Sequence, residues 1–423
     1  MKGSGFLALV ASILIAATVL VSCSSGDTPA AKEDNPEPEA REIAEKTIRI
    51  GVISDKTGAS ANVMQMVDSA LDDLVAYFNA EELIPGVTLE VIYYDGQYQP
   101  ANDIPGYERL KEQGADIIFA NLSNTAVTLK PRADSDEIPV FSLFASEAAI
   151  DPPGWVFCMN VPISTYAWTM LQWIAENDWD WQTLGPARVG GAGWTGPLWE
   201  EIQKGAETYC AAHSEQFEWE GGYLTDFAMT WGTEVEALKD CDYVIPPGVG
   251  LVTFAREYHK AEGKAKFICF ESQAAVLGMA IQAAGWDALD GSLFALPNRW
   301  WNEDAELSNL ANRLLNENHP ESADSIRNSG ASYIGGITEW YGVLMVVAET
   351  VDRVGAQNFA SQSLYDTITS FSMAFDDCPE WGFDEEKRTS WNYVGIYELS
   401  GTDQDLMRRD PDWYPLAGIP DGN

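Results

Sequence analysis

At 423 residues the chain exceeds one ordinary hydrophobic core and suits two domains of ordinary size. Its 46% hydrophobic and 11% aromatic content is enough to fold without help, while 65 acidic against 25 basic residues leave a net charge of −40. Such a surface repels phosphate backbones, which excludes a nucleic-acid partner, and it disfavours anionic solutes unless a local basic pocket overrides it.

Residues 1–22 read as an export signal, with Lys2 as the positive start and Phe6 to Leu20 as a run of apolar and small residues too short to span comfortably. The run ends in Leu20-Val21-Ser22-Cys23, which closely resembles the bacterial lipobox. That resemblance implies cleavage before Cys23 and lipid on its thiol, anchoring the protein on the extracytoplasmic side, periplasmic or cell-surface, without spanning the membrane. No later segment is long and apolar enough to cross a bilayer. Residues 23–46, rich in Ser, Ala, Pro and Glu, form a disordered acidic tether. Cys23 being spent, Cys158, Cys210, Cys241, Cys269 and Cys378 leave at least one thiol free. A Cys210–Cys241 disulfide is weighed against small buried hydrophobes, and the second is favoured. No spacing matches a metal site.

Structure is expected to begin with a strand at Thr47 to Ile53 and a helix at about Ala61 to Asn79. A strand at Val87 to Tyr94 and a helix near Ile104 to Gln113 follow. The stretch Ala115 to Ser146 organises what comes after. Asp116 to Ala120 is a buried strand ending in the polar elbow Asn121-Leu-Ser-Asn-Thr125, a helix follows, and Ile138 to Phe141 with Ser142-Leu-Phe-Ala-Ser146 repeats the pattern. Two adjacent parallel strands would place hydroxyls, amides and free backbone N–H groups at their carboxyl ends, where open α/β sheets bind small polar ligands. Each elbow alone reads as ordinary helix capping.

A second lobe is expected near Asn160-Val-Pro162, with helices at Thr165 to Glu176, Leu198 to Ala212 and Thr233 to Lys239. Its strands are Ala187 to Gly190, Phe217 to Gly221, Tyr243 to Ile245 and Lys266 to Phe270. Asp290 to Pro297 reads as the return crossing, Gly335 to Val354 and Leu364 to Phe371 as helices, Trp391 to Leu399 as a late strand, and the tail after Gly401 as surface. Alternating strands and helices imply parallel sheets with right-handed crossovers.

The strand followed by Thr57-Gly58, the helix ending in Phe78-Asn79, and the strand into Asp95-Gly-Gln-Tyr98 with Pro100 carry a resemblance. They are similar to the extracellular solute-binding proteins of ABC importers of branched-chain amino acid (leucine/isoleucine/valine) type, over about residues 48–400. The resemblance implies the type I periplasmic binding protein fold: two Rossmann-like α/β lobes with parallel sheets flanked by helices, joined by three hinge crossovers and closing on a ligand. Lobe 1 would comprise 47–158 and 293–375, lobe 2 residues 159–292 and 376–423 with the tail. It further implies a monomer without cofactor or metal, served by ABC permease and ATPase subunits.

Gly191-Ala-Gly-Trp-Thr-Gly196 fits G-x-G-x-x-G after a strand, with Glu218 or Glu220 following, and so imitates a dinucleotide fingerprint. Trp194 and Pro197 would crowd a pyrophosphate there, and the signal lacks the twin Arg of folded export. Under the resemblance this turn serves the cleft through Trp194 and Thr195. Glu271, past the strand ending at Phe270, would receive a ligand ammonium, although an acid there is also an ordinary first-turn residue. Asn124, Ser142, Ala145 and Ser146 would hold a ligand carboxylate, with Phe144 beside them. Asn124, Phe144 and Val249 depart from the family's pattern and weigh against a branched-chain ligand more than against the fold.

Tyr98 and Trp300 are candidates for stacking on a ligand or cation, though the Trp300-Trp301 pair equally reads as a hinge cover. Glu339 and Tyr341 are weaker candidates. His213, His259 and His319 lie far apart, and no G-x-S-x-G, Cys/His pair or H-E-x-x-H is present, so no catalytic residue is assigned and the chain reads as a non-enzyme. The sequence therefore points to a lipid-anchored protein that captures a small polar solute, an amino acid or amide leading, for import. The alternatives are a sensor of the same fold signalling to a membrane partner and, behind it, an exported nucleotide-binding oxidoreductase.

Overall fold

The computed structural model describes residues 46–120 and 122–418, so the export signal, Cys23, nearly all of the tether and Asn121 lie outside the described residues. β1 (Lys46–Ser54) is buried over its last five residues, as a central strand covered on both faces requires. The helix Ala61–Ala80 turns Met64, Val67, Leu71, Leu74 and Phe78 inward at helical spacing. β2 (Val87–Asp95), β3 (Ile117–Ala120), β4 (Val140–Ser142) and β5 (Val156–Cys158) complete a five-stranded parallel sheet of order β2-β1-β3-β4-β5.

The chain then passes through Asn160–Pro162 and the helix Ile163–Asn177 into a second sheet. Its parallel part comprises β6 (Ala187–Trp194), β7 (Phe217–Thr225), β8 (Tyr243–Ile245), β9 (Lys266–Cys269) and β10 (Leu293–Leu296). β11 (Ser372–Phe375) and β12 (Cys378–Gly382) form a separate hairpin. β13 (Tyr393–Ser400), β14 (Asp405–Arg408) and β15 (Tyr414–Pro415) then rejoin the second sheet as an antiparallel edge. Its order is β14-β13-β10-β9-β8-β6-β7, with β15 on β13.

Two expectations change here. Residues 290–297 are not the return crossing, because Leu293–Leu296 is fully buried as β10 between β9 and β13, and the chain leaves the sheet only afterwards. A four-residue apolar run suits a buried strand as well as a crossing, and only its neighbours decide. The tail after Gly401 is not wholly superficial either. Leu406 is buried in β14, and Trp413 stacks on Trp391 at 5.8 Å and donates its indole N–H to the Asp376 carbonyl. All five described cysteines are free and buried, so Cys210 and Cys241 form no disulfide.

After β10 the helices Glu306–Asn318 and Ser332–Val354 pack on Ala61–Ala80, the first lobe's helix. Gly336 permits the closest approach: a Cβ there would lie 2.9 Å from the Ala70 Cβ. The longer helix also seats Trp340, fully buried, against Phe119 of β3 with ring centroids 4.8 Å apart. Trp340→Ala should therefore lower unfolding stability by about 3–5 kcal/mol, the usual cost of emptying a large aromatic site. Chemical denaturation with an unchanged m-value would check it.

Candidate functional site

The carboxyl ends of the two sheets face one another across a cleft enclosing about 180 Å³. From the first sheet, Ser123 and Asn124 enter it at the start of the helix Ser123–Asp136, which follows β3. Leu122 precedes that helix in an extended conformation and supplies no side-chain cap, so the N-terminal backbone N–H groups and the positive end of the helix are presented toward this edge. Leu143 and Phe144 enter after β4. From the second sheet come Trp194 at the end of β6 and 195–199 after it, Gly248 and Val249 after β8, and Glu271 and Ser272 after β9. Val63, Met64 and Val67 of the first helix and Ser332, Gly336 and Glu339 of the long helix close the back.

Of the sequence candidates, Tyr98, Asn124, Phe144, Trp194, Thr195 and Glu271 line this one cleft. Ser142, Ala145, Ser146 and Trp300 do not. The Ser142 hydroxyl donates to the Phe144 carbonyl at 2.7 Å, which tightens the elbow and turns its hydroxyls inward. Ala145 and Ser146 are buried behind it, and the face offered to the cleft is the apolar pair Leu143 and Phe144. Trp300 lies outside the cleft, its indole N–H donating to the Asp405 carboxylate of β14 at 2.9 Å. Tyr341 packs on Phe78 instead. Gly191 and Gly193 belong to β6 rather than to a turn, and Trp199 stands where a Cβ on Gly193 would fall. That removes the cradle a dinucleotide pyrophosphate needs, and with it the basis of the oxidoreductase reading.

Two sets of contacts cross the cleft mouth. Phe227, after β7, meets Tyr98 of the first lobe at 5.6 Å and Trp194 at 5.2 Å, with the Trp194 indole N–H held by the Ala228 carbonyl. The Glu147 backbone N–H donates to the Glu201 carboxylate at 3.1 Å. Phe227 was invisible to sequence reasoning because it sits in an irregular stretch, at a left-handed φ of 51°, with no periodicity to mark it.

At the base of the cleft a buried polar cluster joins the lobes. Glu271 stands on the second lobe and Glu339 on the long helix, while Asn160 lies on the first crossing between them. The Asn160 amide nitrogen donates to both carboxyls, to Glu271 and, at 3.1 Å, to Glu339. Its oxygen accepts from the Val161 backbone N–H at 2.8 Å and from the Tyr166 hydroxyl, which fixes the amide's orientation. Burial lifts the Glu271 carboxyl to about 7, opposed by its hydrogen bonds to Asn160 and Glu339. Burial, then the charge of Glu271, holds Glu339 well above the usual carboxylate range. Asn160 entered the sequence reading only as a lobe start, and a lone polar residue in an apolar crossing was its one visible sign.

A raised acid pKa costs nothing below the unfolded value, and the cost grows with pH until it is complete above the folded one. Glu271 should therefore destabilise the empty protein above pH 7 and not below pH 4.5. Glu271→Gln is expected to raise the unfolding stability of the empty protein at pH 8 by roughly 2–3 kcal/mol, and to change it little at pH 4.5. Thermal unfolding across that range reads the difference directly.

A family model described as periplasmic binding protein matches residues 47–400. A search of curated proteins gives no match. Among solved structures, the chain resembles a branched-chain amino acid ABC transporter protein from Thermus thermophilus with bound valine, at TM-score 0.75 and 16% identity over 89% of this chain and 98% of that one. It also resembles a fatty acid ABC transporter substrate-binding protein from Thermomonospora curvata, at TM-score 0.71 and 13% identity over 88% and 95%. A third is a solute-binding protein of Rhodopseudomonas palustris in complex with 3,4-dihydroxybenzoic acid, at TM-score 0.71 and 14% identity over 88% and 99%. At these identities the likeness speaks to the fold, which is the expected type I architecture. With the family model spanning both lobes and the cleft between them, the chain belongs to the periplasmic binding protein family.

Proposed function

We propose that the protein is the substrate-binding component of an ABC importer and takes a small polar solute, an amino acid or amide, between its lobes. The observation that carries this reading is a pairing of opposite polarity across one cleft. The Glu271 carboxyl faces it from the second sheet, and the helix N-terminus at Ser123–Asn124 faces it from the first. A cation suits the former and a carboxylate or amide oxygen the latter, so one solute would bridge the lobes and favour their closure. Leu143, Phe144, Trp194, Trp199, Phe227 and Val249 would receive its apolar body. Among the described residues no Lys, Arg or His lines the cleft, which disfavours a purely anionic solute such as the aromatic acid held by the Rhodopseudomonas palustris relative. The valine bound by the Thermus thermophilus relative is of the favoured class.

Calorimetry or thermal shift with amino acids, amides and polyamines tests the assignment. Binding by members of that set is expected, with Glu271→Gln weakening an ammonium-bearing solute by about 2 kcal/mol or more. Unchanged affinity in that variant, or binding confined to carboxylic acids without an amine, would overturn it.

Family membership implies an extracytoplasmic site of action, and among the described residues no helix is long and apolar enough to cross a membrane. We further propose that the lipid on Cys23 anchors the protein as a monomer beside its permease and ATPase. Cys23→Ser should move the exported protein from the membrane to the soluble fraction, as fractionation and immunoblotting would show.

A further inference from the structure

The binding reading uses Glu271 and leaves Glu339 without a task. Glu339 is 1% exposed, lines the same cleft, and its Oε2 has no hydrogen-bond donor among the described residues, while Oε1 accepts from Asn160. Asn160 has only two amide hydrogens and spends one on each carboxyl. Its oxygen is occupied by Val161 and Tyr166, so it cannot turn to help further.

The other groups packed on the pair are also neutral. Burial pushes the Cys158 thiol up to about 12 and the Tyr166 hydroxyl well above its ordinary value. A Cβ on Gly335 would come within 3.3 Å of the Glu271 carboxyl and 3.9 Å of the Asn298 amide oxygen, so Glu271 lies directly against the long helix with a neutral amide beside it. Two adjoining buried carboxyls with no base beside them cannot both carry charge in the empty site. The vacant Glu339 oxygen therefore calls for a proton or for a cation from the cleft.

We propose that Glu339 and Glu271 form one exchange site, in which the ammonium group of a bound solute replaces a proton that the two carboxyls share in the empty protein. The solute keeps its own charge and no covalent bond changes. The shared proton leaves to solvent, and both carboxylates then face one ammonium. This rests on the binding reading and deepens it: Glu339 becomes a residue that selects cationic amines and ties their affinity to pH. Burial raises both carboxyls, and the neighbouring charge of Glu271 raises Glu339 further, so the empty pair holds on to the shared proton. Each released proton makes affinity rise about tenfold per pH unit.

The test uses the full chain with phenethylamine and L-leucine as amine probes, cationic at the ammonium throughout, and 3-phenylpropan-1-ol as an amine-free control. Calorimetry at pH 8 in two buffers of different ionisation enthalpy counts protons. The expectation is close to one proton released per amine bound and about a tenfold gain in affinity from pH 7 to pH 8. Glu339→Gln should bind amines at pH 8 with close to no proton release. An infrared band of a buried protonated carboxyl should be present in the empty wild-type protein at pH 8, vanish on adding amine, and be missing from Glu339→Gln, which reports on the pair even if affinities change. Equal proton release in wild type and Glu339→Gln, or no release in the wild type, overturns the exchange. Binding of the alcohol as tightly as phenethylamine, with the band intact, overturns it while leaving solute capture standing. Failure of every probe and of the wider amino acid and amide panel counts instead against the binding reading on which it rests.

Discussion

The structure turns on one amide serving two buried acids. Asn160 sits where the chain first crosses between lobes, and it ties Glu271 of the second sheet's edge to Glu339 of the helix that backs the first. Removing two carboxyls from water is expensive, and one neutral amide does not offset it. The remaining demand for positive charge is directed into the cleft, since among the described residues Lys, Arg and His are missing from its lining. A ligand that supplies such a charge relieves a local electrostatic cost of the empty protein, and the free energy of that relief is available to bind it.

The same cluster links recognition to the arrangement of the lobes. Asn160, Glu271 and Glu339 belong to a crossing, one sheet edge and the opposite lobe's helix, so their contacts hold only while those elements keep their places. Residues 388–390 run beside the start of the first crossing, where the Cys158 backbone N–H donates to the Arg388 carbonyl at 2.7 Å and its carbonyl accepts from the Ser390 backbone N–H at 3.0 Å. At the opposite end of the cleft, Tyr98 and Phe227 meet edge to face, and Glu147 meets Glu201. Burial lifts the Glu201 carboxyl to about 7, so both ends of the cleft carry an acid whose charge state changes near neutral pH.

Much of the architecture was readable because strand and helix periods are local properties. The apolar run Ile117–Ala120 and the stripe from Met64 to Phe78 announce a buried strand and a packed helix from spacing alone. Glu271 and Trp194 were readable as cleft-lining residues because one follows the end of β9 and the other ends β6, and strand ends in open α/β sheets meet at the cleft. The Ser142 hydroxyl misled for a local reason of another kind. A short polar side chain at an elbow can face a ligand or satisfy the turn, and for Ser142 the hydrogen bond to the Phe144 carbonyl decided for the turn.

By itself the sequence determined the alternation of elements, the two sheets, the acidic surface and the carboxyl and aromatic residues available at strand ends, since each follows from composition and short-range order. Tertiary structure alone decided that Leu293–Leu296 is a strand of the second sheet, that Phe227 reaches across to Tyr98, and that Glu339 lies against Glu271. Glu271 and Glu339 are 68 residues apart in the chain, and Asn160 precedes them by more than a hundred. No periodicity spans such separations; only the packing of Gly335 and Gly336 against the neighbouring lobe elements brings those three side chains into one buried volume.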